Sequence, residues 1–364
     1  GLGDVYKRQV LCYGASHHRN PFLWDKGRFA PYVTYVDPDG KEQWLFDGFI
    51  FLESQDVDRP DSGAYSFMTG VLRDTGVSAG KEQWQELIDY YFTKGNCVDA
   101  LEQAVKEATA RLGKAPCKRR VIMMIPDPII HRHYIDTTTT TTYWGELGGR
   151  RLDFNSNEDR VAACRWYIDQ VRARFAQGDY KYIDLAGFYW IREIAAQPHD
   201  TEYSYHLTRS DILLPEIADY LHRLNYTFSW IPFYDARGHD DWRKFGFDQV
   251  YMQPNHYWKP ENDLDSACMK INRAGTSIEF EFEASILNAD PHGDIYRARM
   301  RKYMEYAKKH GIYGTRPLAY YQGSNALYDL SVSTDETDRE FFHEFCSFVV
   351  NNPVRTQHSG KGNK

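Results

Sequence analysis

The six cysteines of this 364-residue chain, at positions 12, 97, 117, 164, 268 and 346, never fall into a CxxC spacing. That excludes a zinc knuckle and a dense disulfide scaffold. No apolar run is long enough to cross a bilayer, so no membrane span is expected. Basic runs are missing apart from the tail around Lys361–Lys364, and the net charge is −7, which argues against a nucleic-acid partner. A GxGxxG after the first apolar run and an EF-hand spacing are also missing, which removes the usual marks of a dinucleotide or calcium site. A signal peptide is absent too. The start, Gly1 to Gln9, resembles translated adapter sequence, so we expect residues 1–9 to be a non-native leader, with the natural N-terminus and its signal lost. On that reading the protein is secreted or periplasmic, with a cytoplasmic location left open.

What the chain has in excess is aromatic side chains: 27 Tyr, 20 Phe and 9 Trp make 15% of it, a composition suited to stacking on the flat apolar faces of sugar rings. Short apolar runs alternate with helical patterns. The expected strands are Val10 to Gly14, Trp44 to Glu53, Arg120 to Pro126, Tyr182 to Tyr189, Tyr226 to Phe233, Phe247 to Met252, Ser277 to Glu283 and Pro317 to Tyr321. Asp37-Pro-Asp-Gly40 reads as a tight turn, residues 54–80 as a long loop, and Thr137 to Thr142 as a surface loop. Helical periodicity breaks at Gly95 and resumes through Leu101, Val105 and Leu112. Eight strands with helices between them predict an α/β fold, a single-domain (β/α)8 TIM barrel over residues 10–351 with long βα loops and a disordered tail at 352–364.

In such barrels the chemistry sits at the C-terminal ends of the strands. There the chain delivers Glu53, Asp127, Tyr189, Trp190, Glu193, Tyr234, Asp235, Gln253, Asn255, His256, Glu281, Glu283, Tyr321, Gln322 and Asn325. Carboxylates, amides and aromatics are what hydrogen-bonds hydroxyls and stacks on rings. The seventh strand alternates, Ser-Ile-Glu-Phe-Glu-Phe-Glu, which puts Glu279, Glu281 and Glu283 on one face. A row of carboxylates facing a barrel lumen is costly unless it is paired or does chemistry; the structural alternative is a strand with its glutamates in solvent. Glycoside hydrolysis needs two carboxyl groups across the scissile bond, at roughly 5–5.5 Å for retention or roughly 6.5–9.5 Å for inversion. Glu193 with a seventh-strand glutamate supplies such a pair.

The runs Phe46-Asp-Gly-Phe-Ile-Phe51, Gly187-Phe-Tyr-Trp190 with Glu193, Trp230-Ile-Pro-Phe-Tyr234, Gln253-Pro-Asn255 and Glu279-Phe-Glu-Phe282 together resemble the bacterial DUF4855 family over about Val10 to Val350. More distantly, the chain resembles barrel glycoside hydrolases whose acid/base glutamate ends strand four and whose nucleophile ends strand seven. That resemblance implies Glu193 as acid/base and a glutamate at the end of strand seven as nucleophile in a retaining mechanism; Glu281 is preferred to Glu283, because Ala-Ser-Ile-Leu follows Glu283 and puts it toward the loop. Arg192 departs from the Asn that often precedes the acid/base residue in that superfamily. Tyr189, Trp190, Tyr234, Trp258 and Tyr321 are the expected platforms, and Asp235, Gln253, Asn255, His256 and Gln322 the expected polar substrate contacts. The partner expected is a polysaccharide or oligosaccharide; no cofactor and no metal are expected. Two alternatives stand beside this one: a non-catalytic carbohydrate-binding barrel, and a metal-dependent hydrolase using His131 and His133.

Overall fold

A computed structural model describes residues 7–14, 23–56, 65–69, 76–195 and 209–352. Eight parallel strands close into a barrel: β1 Arg8–Tyr13, β2 Gly48–Leu52, β3 Arg119–Ile125, β4 Ile183–Trp190, β5 Thr227–Trp230, β6 Gln249–Met252, β7 Ser277–Glu281 and β8 Leu318–Tyr321. Each pairs with its neighbour in sequence, and β1 pairs with β8 through Arg8 and Leu318 to complete the ring. Around it run α1 Lys26–Val33, α2 Lys81–Tyr91, α3 Cys97–Leu112, α4 Asn157–Gly178, α5 Ser210–Arg223, α6 Leu264–Ala274, α7 Gly293–Lys309, α8 Ala326–Val332 and α9 Glu336–Val350. The expected (β/α)8 barrel is the observed fold.

Alternation along each strand sorts side chains between two layers. On β7 and β8, Phe280 and Tyr320 face the helices, their rings 5.2 Å apart and Phe280 also 5.3 Å from Phe348 of α9. Glu279 and Glu281 lie beside Ala319 and Tyr321 in the register, on the lumen side. The floor of the lumen is polar. Gln9 of β1 donates to the Tyr251 hydroxyl of β6, and Tyr251 donates to Gln249 Oε1 at 2.8 Å. Strands β1 and β6 are not neighbours in the sheet, so this contact crosses the barrel interior.

Several boundaries differ from expectation. The first strand begins at Arg8 and buries Gln9 completely, so two residues assigned to the leader belong to the barrel; residues 1–6 lie outside the described ones. The second expected strand divides, because Glu42–Trp44 folds back on Thr34–Val36 as a hairpin around the Asp37 turn, and only Gly48–Leu52 enters the barrel. The long loop carries a small sheet of Gln55–Asp56, Tyr65–Ser66 and Val77–Ser78. Helices α1 and α8 carry no long periodic pattern and were not expected. Of the expected tail at 352–364, Asn352 belongs to the barrel, buried and accepting from the Gly314 N–H at 3.1 Å, and residues 353–364 lie outside the described ones.

Candidate active site

A cavity of about 320 Å³ opens at the C-terminal ends of the strands. Leu11 and Tyr13 of β1, Tyr189 of β4 and Tyr321 of β8 form apolar and aromatic parts of its wall, and Trp258, 38% exposed, stands at its edge. Tyr321 meets Tyr13 and Trp258 edge-on, with ring centroids 5.9 and 5.7 Å away. The polar wall is made by Glu193, Gln253, Glu279 and Glu283. Three carboxyl groups from two strands far apart in sequence therefore face one small volume.

Each is held differently. Glu193, just beyond β4, accepts from Gln253 Nε2 at 2.9 Å, and the same nitrogen donates to the Ile231 carbonyl at 3.1 Å. Glu283, just beyond β7, accepts from the Tyr321 hydroxyl at 3.0 Å. Glu279 lies deepest, 2% exposed, and its Oε2 has no hydrogen-bond partner among the described residues. Burial pushes its carboxyl well above the usual range, and Glu281 and Glu193 nearby push it further. Glu281 does not line the cavity. It is fully buried, its Oε2 accepting from the Asn255 backbone N–H at 2.8 Å and from the Tyr303 hydroxyl of α7. Burial raises it to about 8, against the opposing effect of those two donors, and Glu193 adds to the rise. Burial thus favours the neutral form of both carboxyl groups.

The position of Glu193 is set by the residue before it. Arg192 Nη1 lies 3.2 Å from Asp127 Oδ2, and Arg160 Nη2 lies 3.7 Å from Asp127 Oδ1, all three side chains being buried. The Arg192 carbonyl accepts from Trp230 Nε1 at 2.7 Å, and the Ala195 N–H donates to the Arg237 carbonyl at 2.9 Å. The chain leaving β4 is therefore clamped to the ends of β3 and β5.

Residues 8–347 match the family model described as "Domain of unknown function (DUF4855)". The chain belongs to the DUF4855 family. No curated protein matches it. Among solved structures, a GH18 chitinase from Pseudoalteromonas aurantia is similar over 94% of this chain and 99% of its own, at 10% identity and a TM-score of 0.40. An endo-beta-1,4-mannanase from Cellulomonas fimi is similar over 96% of this chain and 71% of its own, at 12% identity and 0.44. A mutant tryptophan synthase alpha-subunit from Pyrococcus furiosus is similar over 95% and 99%, at 9% identity and 0.38. At these scores none of them bears on the chemistry of the site.

Of the residues expected at the DUF4855 site, the structure brings together Tyr189, Glu193, Gln253, Trp258, Glu283 and Tyr321. Trp190 is not a platform. It falls on the opposite face of β4 from Tyr189, 1% exposed and 6.4 Å from the Phe228 ring, because successive strand residues alternate. Gln322 is fully buried and structural: it accepts from the Tyr32 hydroxyl at 2.6 Å and the Leu327 N–H at 3.1 Å, and donates to the Leu11 carbonyl at 3.3 Å. Asn255 contributes its backbone rather than its amide, in a left-handed conformation at φ 59° that aims its N–H at Glu281. His256 is buried below it, with Nδ1 2.7 Å from the Asn262 carbonyl and its ring 6.1 Å from Tyr303. Tyr234 and Asp235 are outside the cavity wall, tied to Lys270, whose Nζ lies 4.9 Å from the Tyr234 ring centroid and 3.1 Å from Asp235 Oδ1.

His131 Nδ1 lies 3.0 Å from the Thr139 carbonyl, and no group of three or more His, Cys, Asp or Glu among the described residues is arranged to hold a metal. Sequence reasoning missed Leu11, Tyr13 and the full weight of Glu279. Tyr13 was legible as the last large residue of β1, and Glu279 from the alternation of β7.

Proposed function

We propose that this protein is a glycoside hydrolase acting on a polysaccharide or oligosaccharide, with Glu193 and Glu283 as the working carboxyl groups. The observation that carries the reading is one cavity at the strand ends in which glutamates from the ends of β4 and β7 face each other's volume between tyrosine and tryptophan rings. Stacking on those rings orients a pyranose, and two carboxyl groups supply proton transfer to the leaving oxygen and attack, directly or through water, on the other side. Glu193 serves as acid and base, its carboxyl oriented by Gln253. Glu283 serves as nucleophile or base, its carboxylate held by the Tyr321 hydroxyl. This moves the nucleophile from Glu281, which is buried away from the cavity wall and whose carboxyl burial raises to about 8. Burial favours the neutral form of Glu281 and Glu279, which keeps the net charge near the sugar low.

The test replaces Glu193, Glu281 and Glu283 separately with Gln and measures release of reducing sugar from a panel of plant, bacterial and chitinous glycans. We expect turnover by the native protein, and losses of about 10³-fold or more in E193Q and E283Q, the size usual for removing a positioned acid or base. A large loss in E281Q with E283Q unaffected would return the role to Glu281. Binding without turnover by the native protein across the panel would make the barrel a carbohydrate-binding module instead.

A further inference from the structure

Next to the main cavity lies a second, of about 240 Å³. Glu283 and Tyr321 line both, so their hydrogen-bonded pair is a wall common to the two. The rest of the second wall is mostly polar and comes from the segments after β7 and β8: Ser285, Ser324, Asn325 and Asp329, with Gly323. Asn325 is 4% exposed and donates to Asp329 Oδ1 at 3.1 Å, which fixes the amide and the carboxyl relative to each other. Ser285 Oγ is 2.9 Å from the Tyr257 hydroxyl. Gly323 takes φ +63°, and a Cβ there would come within 3.3 Å of Glu283 Cγ. Glycine thus lets the chain turn closely past the carboxylate without adding bulk where the two cavities adjoin. Hydroxyls, an amide and a carboxyl beside a tyrosine ring are donors and acceptors matched to a hydroxyl-rich ligand, not to a hydrophobic one.

We propose that this second cavity is a sugar subsite, and that the substrate is a glycan of several residues whose chain passes Glu283 from one cavity into the other. The inference rests on the hydrolase reading of the main cavity and narrows it: the bond cleaved lies within a chain bound on both sides, not at an isolated sugar. Burial raises the Asp329 carboxyl, with Arg28 opposing it, which suits a group that exchanges hydrogen bonds with hydroxyls in a partly enclosed space.

The experiment is calorimetric titration of the full chain carrying E193Q, so that ligand survives. The probes are β-1,4-linked oligosaccharides of glucose, N-acetylglucosamine, mannose and xylose, and an α-1,4-linked galactosamine series, each of two, four and six units. In whichever series binds, affinity is expected to rise about ten-fold or more from two to four units. N325A and, as a milder change that keeps the packing, D329N should each abolish that gain while leaving two-unit binding within about two-fold. Equal affinity for two and four units, or a gain untouched by both substitutions, overturns the subsite and leaves the hydrolase reading standing. Absence of binding by every series overturns both.

Discussion

At the scale of single residues, the site turns on what holds each carboxyl group. Tyr321 is the clearest case, because one side chain is both a ring wall and the donor to Glu283 at 3.0 Å. Removing the hydroxyl alone separates those roles. A hydrogen bond to a charged group contributes about 1.5–3 kcal/mol, and if it is made to the reacting carboxylate, Y321F should lower kcat by about ten- to one-hundred-fold. KM should change little, since the ring remains. A kcat within two-fold of the native value would show that Tyr321 is only a wall. Trp258 offers the opposite split: it stands at the cavity edge and meets the Tyr321 ring edge-on, so W258A should raise KM several-fold while leaving kcat nearly intact, read from the same kinetic series.

At the scale of elements, the end of β4 explains why arginine stands before Glu193. Asp127 ends the run after β3, and its one carboxyl gathers the buried guanidinium groups of Arg192 and Arg160, so charges from three elements meet at one point. Burial alone raises the Asp127 carboxyl, and the two guanidinium groups oppose that rise. Deleting the acid removes a carboxylate from two buried guanidinium groups, so D127A should cost about 3–5 kcal/mol, measured as a shift of the urea unfolding midpoint. Pairing it with R192M should recover part of that loss, because one of the two buried guanidinium groups is removed with its carboxylate. A double mutant whose loss equals the sum of the singles would show that the two side chains are not coupled. The elements themselves were largely legible from sequence, since β3 is a continuous apolar run and β7 alternates strictly, and both patterns are set by which faces are buried. What was not legible is which face a given residue takes at a strand end. Trp190 and Gln322 sit one position beyond Tyr189 and Tyr321, and that single step sends them from the cavity wall into packing layers. Asn255 was named for its side chain, whereas its φ of 59°, which no spacing reveals, makes its backbone the active part.

At the scale of the whole molecule, the barrel carries two buried carboxyl groups on β7 whose protonation is tied to folding. Burial disfavours the charge of Glu281 and raises its carboxyl from the ordinary 4.5 of the unfolded chain to about 8 in the folded barrel. Between those pH values the native state holds a proton that the unfolded state has released, so stability falls as pH rises. Below the lower value both states are protonated and the contribution is fully present; above the upper value it is lost. Glu279, shifted in the same direction, adds to the slope. The slope is at most about 1.4 kcal/mol per pH unit for each group. Glu281→Gln retains an acceptor oxygen for the Asn255 N–H and the Tyr303 hydroxyl but cannot ionise. We therefore expect E281Q to match the native protein near pH 4.5, to exceed it increasingly up to pH 8, and to unfold at a higher urea concentration there. Parallel stability curves for the two proteins from pH 5 to 8 would mean that Glu281 ionises in the folded barrel as readily as in the unfolded chain, and its reading as a neutral group would have to be abandoned.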